Sequence, residues 1–231
     1  MPSLCLIGPG RAGRSVSAGL VEAGWELARV VGRGDDPRSA AGDVDLVLIA
    51  TPDGSVRQVA AQIAPVEGTV VVHLAGSLGL DVLAPHERRA AVHPIVAMAG
   101  PATPLAGGWF AVAGDPMAWR LVADLGGRTV TVEDRHRVLH HAAATVAANH
   151  LVALLGQVER IAGTVGVPLE AYLALARGAL DDVAALGPAA ALTGPVRRGD
   201  EATVARHVAA LDPSERPAYE ALAEAARQLL P

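Results

Sequence analysis

The chain contains no lysine; all 19 of its basic residues are arginine. A catalytic lysine is therefore excluded, and arginine, which stays protonated in proteins, binds anions but is a poor proton donor. There is one cysteine, Cys5, so no disulfide framework can form within the chain, and its place in the first apolar run reads as a small buried hydrophobe. Aromatic residues are only 3% of the chain against 51% hydrophobic residues overall, so the core has to be built from Ala, Val and Leu. The formal charge is −5 and no basic run stands out, which removes the electrostatic case for nucleic acid. No charged N-terminal segment leads into a long apolar stretch, and no uninterrupted apolar run reaches membrane-spanning length. The expectation is a soluble, cytoplasmic protein with no membrane segment and no metal site.

What is present organises the 231 residues into two parts. The first alternates short apolar runs with helix-like segments. Strands are expected at Leu4 to Ile7, Trp25 to Val31, Val44 to Ala50, Thr69 to Leu74, Ala90 to His93, Trp109 to Ala113 and Arg128 to Val132. Runs that are apolar on both faces indicate a parallel sheet covered by helices, a doubly wound α/β domain. From about Asp134 no strand is evident. Val138 to Ile161 is apolar nearly all round and predicts a long buried helix. Further helices are expected over Pro168 to Leu186, Glu201 to Leu211 and Ser214 to Leu230. The boundary is placed near residue 133, giving a nucleotide-binding domain at 1–133 and an all-α domain at 134–231.

Between the first strand and the first helix stands Gly8-Pro9-Gly10-Arg11-Ala12-Gly13. A GxGxxG turn in this position is the phosphate loop of a Rossmann-type dinucleotide site. Gly8 makes the tight turn, Gly10 clears the ligand's path, Gly13 lets helix and strand pack closely, and the helix start offers free N–H groups to a pyrophosphate. The alternative is a glycine-rich turn with no ligand. The second strand ends in Val30-Val31-Gly32-Arg33-Gly34, without the carboxylate that usually binds the ribose of NAD. Arg33 suits a 2′-phosphate, so NADP is favoured; Asp35 and Asp36, slightly late, leave NAD open, and a solvated loop arginine is the plain alternative.

Ligands of such sheets sit at the carboxyl ends of the strands. There the sequence places Thr51-Pro52-Asp53, then His73 with Gly76-Ser77, then His93-Pro94. Each has a structural reading as well: a core histidine, a helix cap, a turn. In the helical part, His141, Thr145 and Asn149 are spaced i, i+4, i+8 and form one polar line on an apolar helix. That line is either a hydrogen-bonded seam or a substrate face. The loop from Leu192 to Asp200 carries Arg197 and Arg198, which suit a substrate carboxylate, or else Asp200 simply caps the next helix.

Taken together, the glycine loop, Thr51-Pro52-Asp53, His73 with Gly76-Ser77, His93-Pro94, the helix from His140 to Asn149 and the segment Leu192 to Asp200 resemble a bacterial group of Rossmann-like proteins with a C-terminal domain of unknown function. The group is similar in architecture to pyrroline-5-carboxylate reductase, ketopantoate reductase and the β-hydroxyacid dehydrogenases. The resemblance implies an NAD(P)-dependent oxidoreductase, a helical domain that forms a homodimer and helps build the substrate cleft, and ketopantoate as the first substrate to consider. The lysine that ketopantoate reductases and β-hydroxyacid dehydrogenases use is absent here, so a histidine has to take its part: His141 with Asn149 first, His93 second. Ser77 and Thr145 join Arg197 and Arg198 as candidate substrate contacts. His93-Pro94 also resembles prephenate dehydrogenases over a short stretch. The rival from another class is a non-catalytic dinucleotide-binding sensor or scaffold.

Overall fold

The computed structural model describes residues 1–100 and 103–230. Seven strands form one sheet: β1 (Ser3–Ile7), β2 (Glu26–Val31), β3 (Leu46–Ile49), β4 (Val70–His73), β5 (Arg89–Ile95), β6 (Trp109–Gly114) and β7 (Arg128–Thr131), in the order β2-β1-β3-β4-β5-β6-β7. The first five run parallel, but β6 pairs antiparallel with β5 and β7 follows β6, so the sheet is mixed rather than wholly parallel. Apolar runs are blind to strand direction, and among the described residues no crossover helix stands between β5 and β6 to bring the chain back parallel.

Helices α1 (Arg11–Glu22), α2 (Asp53–Gln62) and α3 (Met117–Asp124) cover both faces. Alternation within a strand explains why. Leu4 and Leu6 face α1 and α3 in a cluster with Val16, Leu20, Phe110 and Leu121. Cys5 and Ile7 face the other way, into a cluster with Val56, Ala60 and Leu83. Cys5 is fully buried, and burial raises its thiol pKa. Between β2 and β3 there is no helix; the link closes through Ala40 and Ala41, both buried.

The chain then becomes helical: α4 (Arg137–Thr145), a π-helical turn (Val146–His150), α5 (Leu151–Thr164), α6 (Leu169–Leu186), α7 (Pro188–Ala191), α8 (Gly194–Arg197), α9 (Glu201–Ala210) and α10 (Arg216–Arg227). The last strand ends at Thr131, close to the expected change of character at residue 133. The compact units divide later, into Met1–Ala148 and Asn149–Pro231, because α4 packs on the sheet through Arg137 and His140.

The long apolar helix is not buried as its composition suggests. Val138 and Leu139 are 68% and 72% exposed, and Val152 is 70% exposed. Over Asp134–Thr164 it is long and apolar enough, by length and composition, to cross a membrane, although no uninterrupted apolar run of that length stands out in the sequence. The second unit is held by polar ties, including Gln157 Nε2 donating to the Glu215 carbonyl at 2.9 Å and an Arg227–Glu201 ion pair at 2.7 Å. Among its described residues only Gln157, Ala162, Val204 and Ala223 are buried, and α6 buries none of its 18 residues.

Candidate active site

The phosphate loop takes the form its glycines require. Gly8 has φ +89°, and a Cβ there would lie 2.9 Å from the Ala50 carbonyl. A Cβ on Gly13 would lie 2.5 Å from the Gly8 carbonyl oxygen, whereas a Cβ on Gly10 would meet open space. The three positions thus supply turn, helix–strand contact and ligand clearance. Gly10 caps α1 without any side-chain acceptor, and no acidic residue occupies the first turn. The first N–H groups and the positive end of the helix remain available to a phosphate. Arg14 Nε donates to the Pro9 carbonyl at 2.7 Å and holds the loop, a role the sequence did not signal. Arg11 is exposed and Ala12 half-buried at the helix start.

A cleft of about 520 Å³ runs from this loop past Val31, Arg33, Asp35, Thr51, Pro52 and Gln62. Arg33 is exposed at its rim. The two late acids are both engaged with their own loop: Asp35 Oδ2 accepts from the Gly32 N–H at 2.7 Å, and Asp36 Oδ1 from the Arg38 N–H at 2.9 Å. Thr51 follows β3, and its buried Oγ1 has no hydrogen-bond partner. A dinucleotide fits this set: a loop whose middle glycine faces open space, an unfilled helix start and a buried hydroxyl with nothing to bind.

The ends of β4 and β5 carry the remaining polar groups. His73, last in β4, is fully buried; its Nε2 donates to the Gly79 carbonyl at 3.3 Å, and that acceptor leaves Nδ1 as an unpartnered lone pair. Burial, then the Arg137 charge, lowers its pKa to about 4. This is the hydrogen-bonded core histidine of the plainer reading, with one nitrogen left over. His93, in β5, places Nδ1 at 3.0 Å from His140 Nε2, and its ring stands edge-on to His141 with centroids 5.7 Å apart. Burial first, then His140, His141 and Arg137, brings His93 to about 4 as well. Burial and Arg137 lower His140. These three rings are therefore neutral at pH 7.

Gly76 makes the cluster possible. A Cβ there would lie 2.5 Å from His141 Nδ1 and 2.8 Å from His93 Nε2. Ser77 does not cap a helix; its Oγ donates to Asp53 Oδ2 at 2.9 Å and ties the loop after β4 to the start of α2. Thr145 ends α4, half-buried. The π-helical turn directly after it breaks the 3.6-residue period, so Thr145 to Asn149 is not a simple i, i+4 step. Asn149, Arg197 and Arg198 belong to the second unit. Arg197 and Arg198 are exposed there, and Asp200 caps α9 by accepting from the Thr203 N–H at 3.0 Å.

Two residues of the cluster escaped the sequence reading. His140 lies in the singled-out helix but not in its polar line. Arg137 went unmarked, although i, i+3 and i+4 spacing sets it on one helix face with His140 and His141. Among the described residues, Arg137 is the largest fully buried side chain. Asp134 Oδ1 lies 3.6 Å from its Nε, and none of its three nitrogens has a hydrogen-bond partner. An incompletely paired buried charge costs on the order of several kcal/mol. Among the described residues, every buried side-chain nitrogen or oxygen without a partner belongs to Thr51, His73, Arg137 or His141. Thr51 and His73 stand at strand carboxyl ends, and Arg137 and His141 on the helix packed there.

Comparison with known proteins agrees with this architecture. The family model described as "Domain of unknown function (DUF2520)" matches residues 110–226, and one described as a Rossmann-like domain matches residues 36–97. No curated protein matches the sequence. Among solved structures, protein BF3122 from Bacteroides fragilis is 20% identical over 98% of both chains, with a TM-score of 0.80. A reductive aminase from Aspergillus terreus, solved with a form of NADPH, cyclohexanone and allyl amine, is 16% identical over 99% of this chain and 94% of its own, with a TM-score of 0.72. Pyrroline carboxylate reductase from Plasmodium falciparum with NADP bound is 13% identical over 99% of this chain and 98% of its own, with a TM-score of 0.65. At these identities the likeness is one of fold. By its match over residues 110–226, the chain belongs to the DUF2520 family, here preceded by a Rossmann-like domain.

Proposed function

We propose that this protein is an NADPH-dependent reductase of a small carboxylate-bearing carbonyl or imine, with ketopantoate the first substrate to try. The observation that carries the reading is the convergence of unpartnered Thr51, His73, Arg137 and His141 atoms with the His93–His140 pair at the sheet edge that carries the phosphate loop. A scaffold that only bound a dinucleotide would need no such set. The preference for NADP rests on Arg33 and on the engagement of Asp35 and Asp36 within their own loop. It is supported by the NADP and NADPH named with the Plasmodium and Aspergillus enzymes.

Bound in the cleft, NADPH supplies a hydride. The chain's own residues do the rest. Gly8 to Gly13 and the start of α1 bind the pyrophosphate, and Thr51 and Pro52 border the same cleft. His93 Nε2 or His141 Nδ1, both turned toward Gly76, hydrogen-bonds the substrate oxygen or nitrogen and relays to it a proton taken up from solvent. Burial first, and neighbouring charge after it, hold His93 neutral at rest; negative charge developing on the substrate atom raises that ring's proton affinity, so a solvent proton enters as the reaction proceeds.

The protein is proposed to act as a homodimer through its helices. A unit that buries four of its described residues lacks a core of its own, and a second copy laid on the exposed apolar side chains of α5 and α6 supplies one. The test of function is NADPH oxidation with ketopantoate, other 2-oxo acids and cyclic imines. Turnover with one of them, abolished by Gly10→Asp, supports the reading. Flat traces across the panel, from protein that binds NADPH, sink it.

A further inference from the structure

Arg137 carries an always-charged, planar fork of five N–H donors on a side chain with no exposed surface. Its one acidic neighbour is not at hydrogen-bond distance: Asp134 Oδ1 stands 3.6 Å from Nε, and Asp134 Oδ2 already accepts from the Leu80 N–H at 2.9 Å. Nη1 and Nη2 have no acceptor at all. The Arg137 charge acts on His73, His93 and His140, so the guanidinium lies within the field of the same sheet-edge cluster. His73 Nδ1, also buried and unpartnered, belongs to that cluster too. Arg197 and Arg198 are exposed, so water satisfies their donors and they have no unmet demand for an anion.

We propose that Arg137 is the anion-binding residue of this site and takes the carboxylate of the substrate through its free Nη1 and Nη2 edge. The assignment rests on the reductase reading and gives that site its substrate class: small acids, bound as carboxylates, in preference to their esters or amides. A carboxylate matches the guanidinium fork in a bidentate pair and fills the donors the protein leaves open. Because the side chain is enclosed, binding requires the loop Gly76-Ser77-Leu78-Gly79 or the first turn of α4 to shift. Gly76 and Gly79 lie tightly against His141 and Asp134.

The test is calorimetric binding of ketopantoate and pyruvate, each beside its methyl ester, to the full chain with and without NADP+. The oxidised cofactor prevents turnover, so acid binding with flat reductase traces would sink the reductase reading and leave this assignment standing. The expected result is that an acid binds at least tenfold more tightly than its ester. Arg137→Met should erase that preference and Arg137→Lys keep part of it. Removing an incompletely paired buried charge favours folding, and a thermal melt of each variant verifies it. In unaltered protein, the acid-to-ester ratio tests the proposal without any variant. Equal affinity for acid and ester, no acid binding at all, or an acid preference that survives Arg137→Met and disappears in Arg197→Ala/Arg198→Ala overturns it.

Discussion

His93 Nδ1 lies 3.0 Å from His140 Nε2, so two neutral imidazoles share a single proton, one ring donating and the other accepting. His93 cannot change its tautomer without changing that of His140. His93→Gln should therefore lower kcat by about 10²- to 10⁴-fold, the range for loss of a general acid, while leaving NADPH affinity within twofold. His140→Gln, which keeps an amide near the ring, should cost less and shift the pH profile of kcat. Steady-state kinetics across pH, with NADPH binding followed by fluorescence, decides it. An unchanged kcat in both variants would remove the pair from the mechanism.

The neutral histidines make stability depend on pH. His73 and His93 are held at about 4, against an ordinary value of 6.5, first by burial and then by neighbouring charge. As pH falls, the unfolded chain takes up these protons before the folded one. The stabilisation is therefore complete above about pH 6.5 and is lost progressively between there and 4. At about 1.36 kcal/mol per pH unit, the window is worth roughly 3 kcal/mol for a ring as buried as His73. Urea melts from pH 7.5 to 4 should show the decline, and His73→Gln should flatten it. A variant curve parallel to wild type would show that His73 does not carry the effect.

Gly76→Ala should separate cofactor binding from chemistry. The added methyl would lie 2.5 Å from His141 Nδ1 and 2.8 Å from His93 Nε2, so both rings must move. Turnover is expected to fall at least tenfold while NADPH binding persists. Gly10→Ala is the informative contrast. It meets no protein atom within 4 Å and should leave the fold intact while weakening the cofactor. Equal kinetic constants for Gly76→Ala and wild type would mean that the histidines do not work where they stand.

Arg33 should set the choice of dinucleotide. A charge-assisted contact to a 2′-phosphate contributes about 1.5–3 kcal/mol, or roughly 10- to 100-fold in affinity. Arg33→Ala is expected to weaken NADPH by that factor and leave NADH nearly untouched. Titrations with both cofactors at two salt concentrations test this; a parallel loss for the two would assign Arg33 to the loop rather than to the phosphate.

Most of the sheet was legible because strand and helix periods are local: seven apolar runs became seven strands, and Gly8, Gly10 and Gly13 follow backbone rules written in the sequence. The site was less so. His93 and His141 were recognisable as chemistry-bearing groups, but their junction with His140 joins residues 47 positions apart, which no local spacing reports. Arg137 was passed over because an arginine near a helix start ordinarily reads as solvated, and only packing shows it enclosed. The reversal of β6 is likewise invisible to an apolar run. The long helix misled most: its composition signalled burial, while Leu139 and Val152 lie open.

That exposure leads to the last expectation. Leu139 is 72% exposed, Val152 70% and Leu175 70%, on a chain whose second unit has almost no interior. Large apolar side chains left in water are unfavourable by about 25 cal/mol for each Å² that a partner would cover. A second copy offers the same apolar faces and closes the assembly by two-fold symmetry. Sedimentation should therefore find two chains per particle without detergent. Val152→Glu with Leu175→Glu should shift the particle toward single chains of lower melting temperature, since the helices would then lose the contacts that replace a core. A wild-type protein that sediments as a single chain, with its melting temperature independent of concentration, would leave the helical unit stable without a partner and refute the dimer.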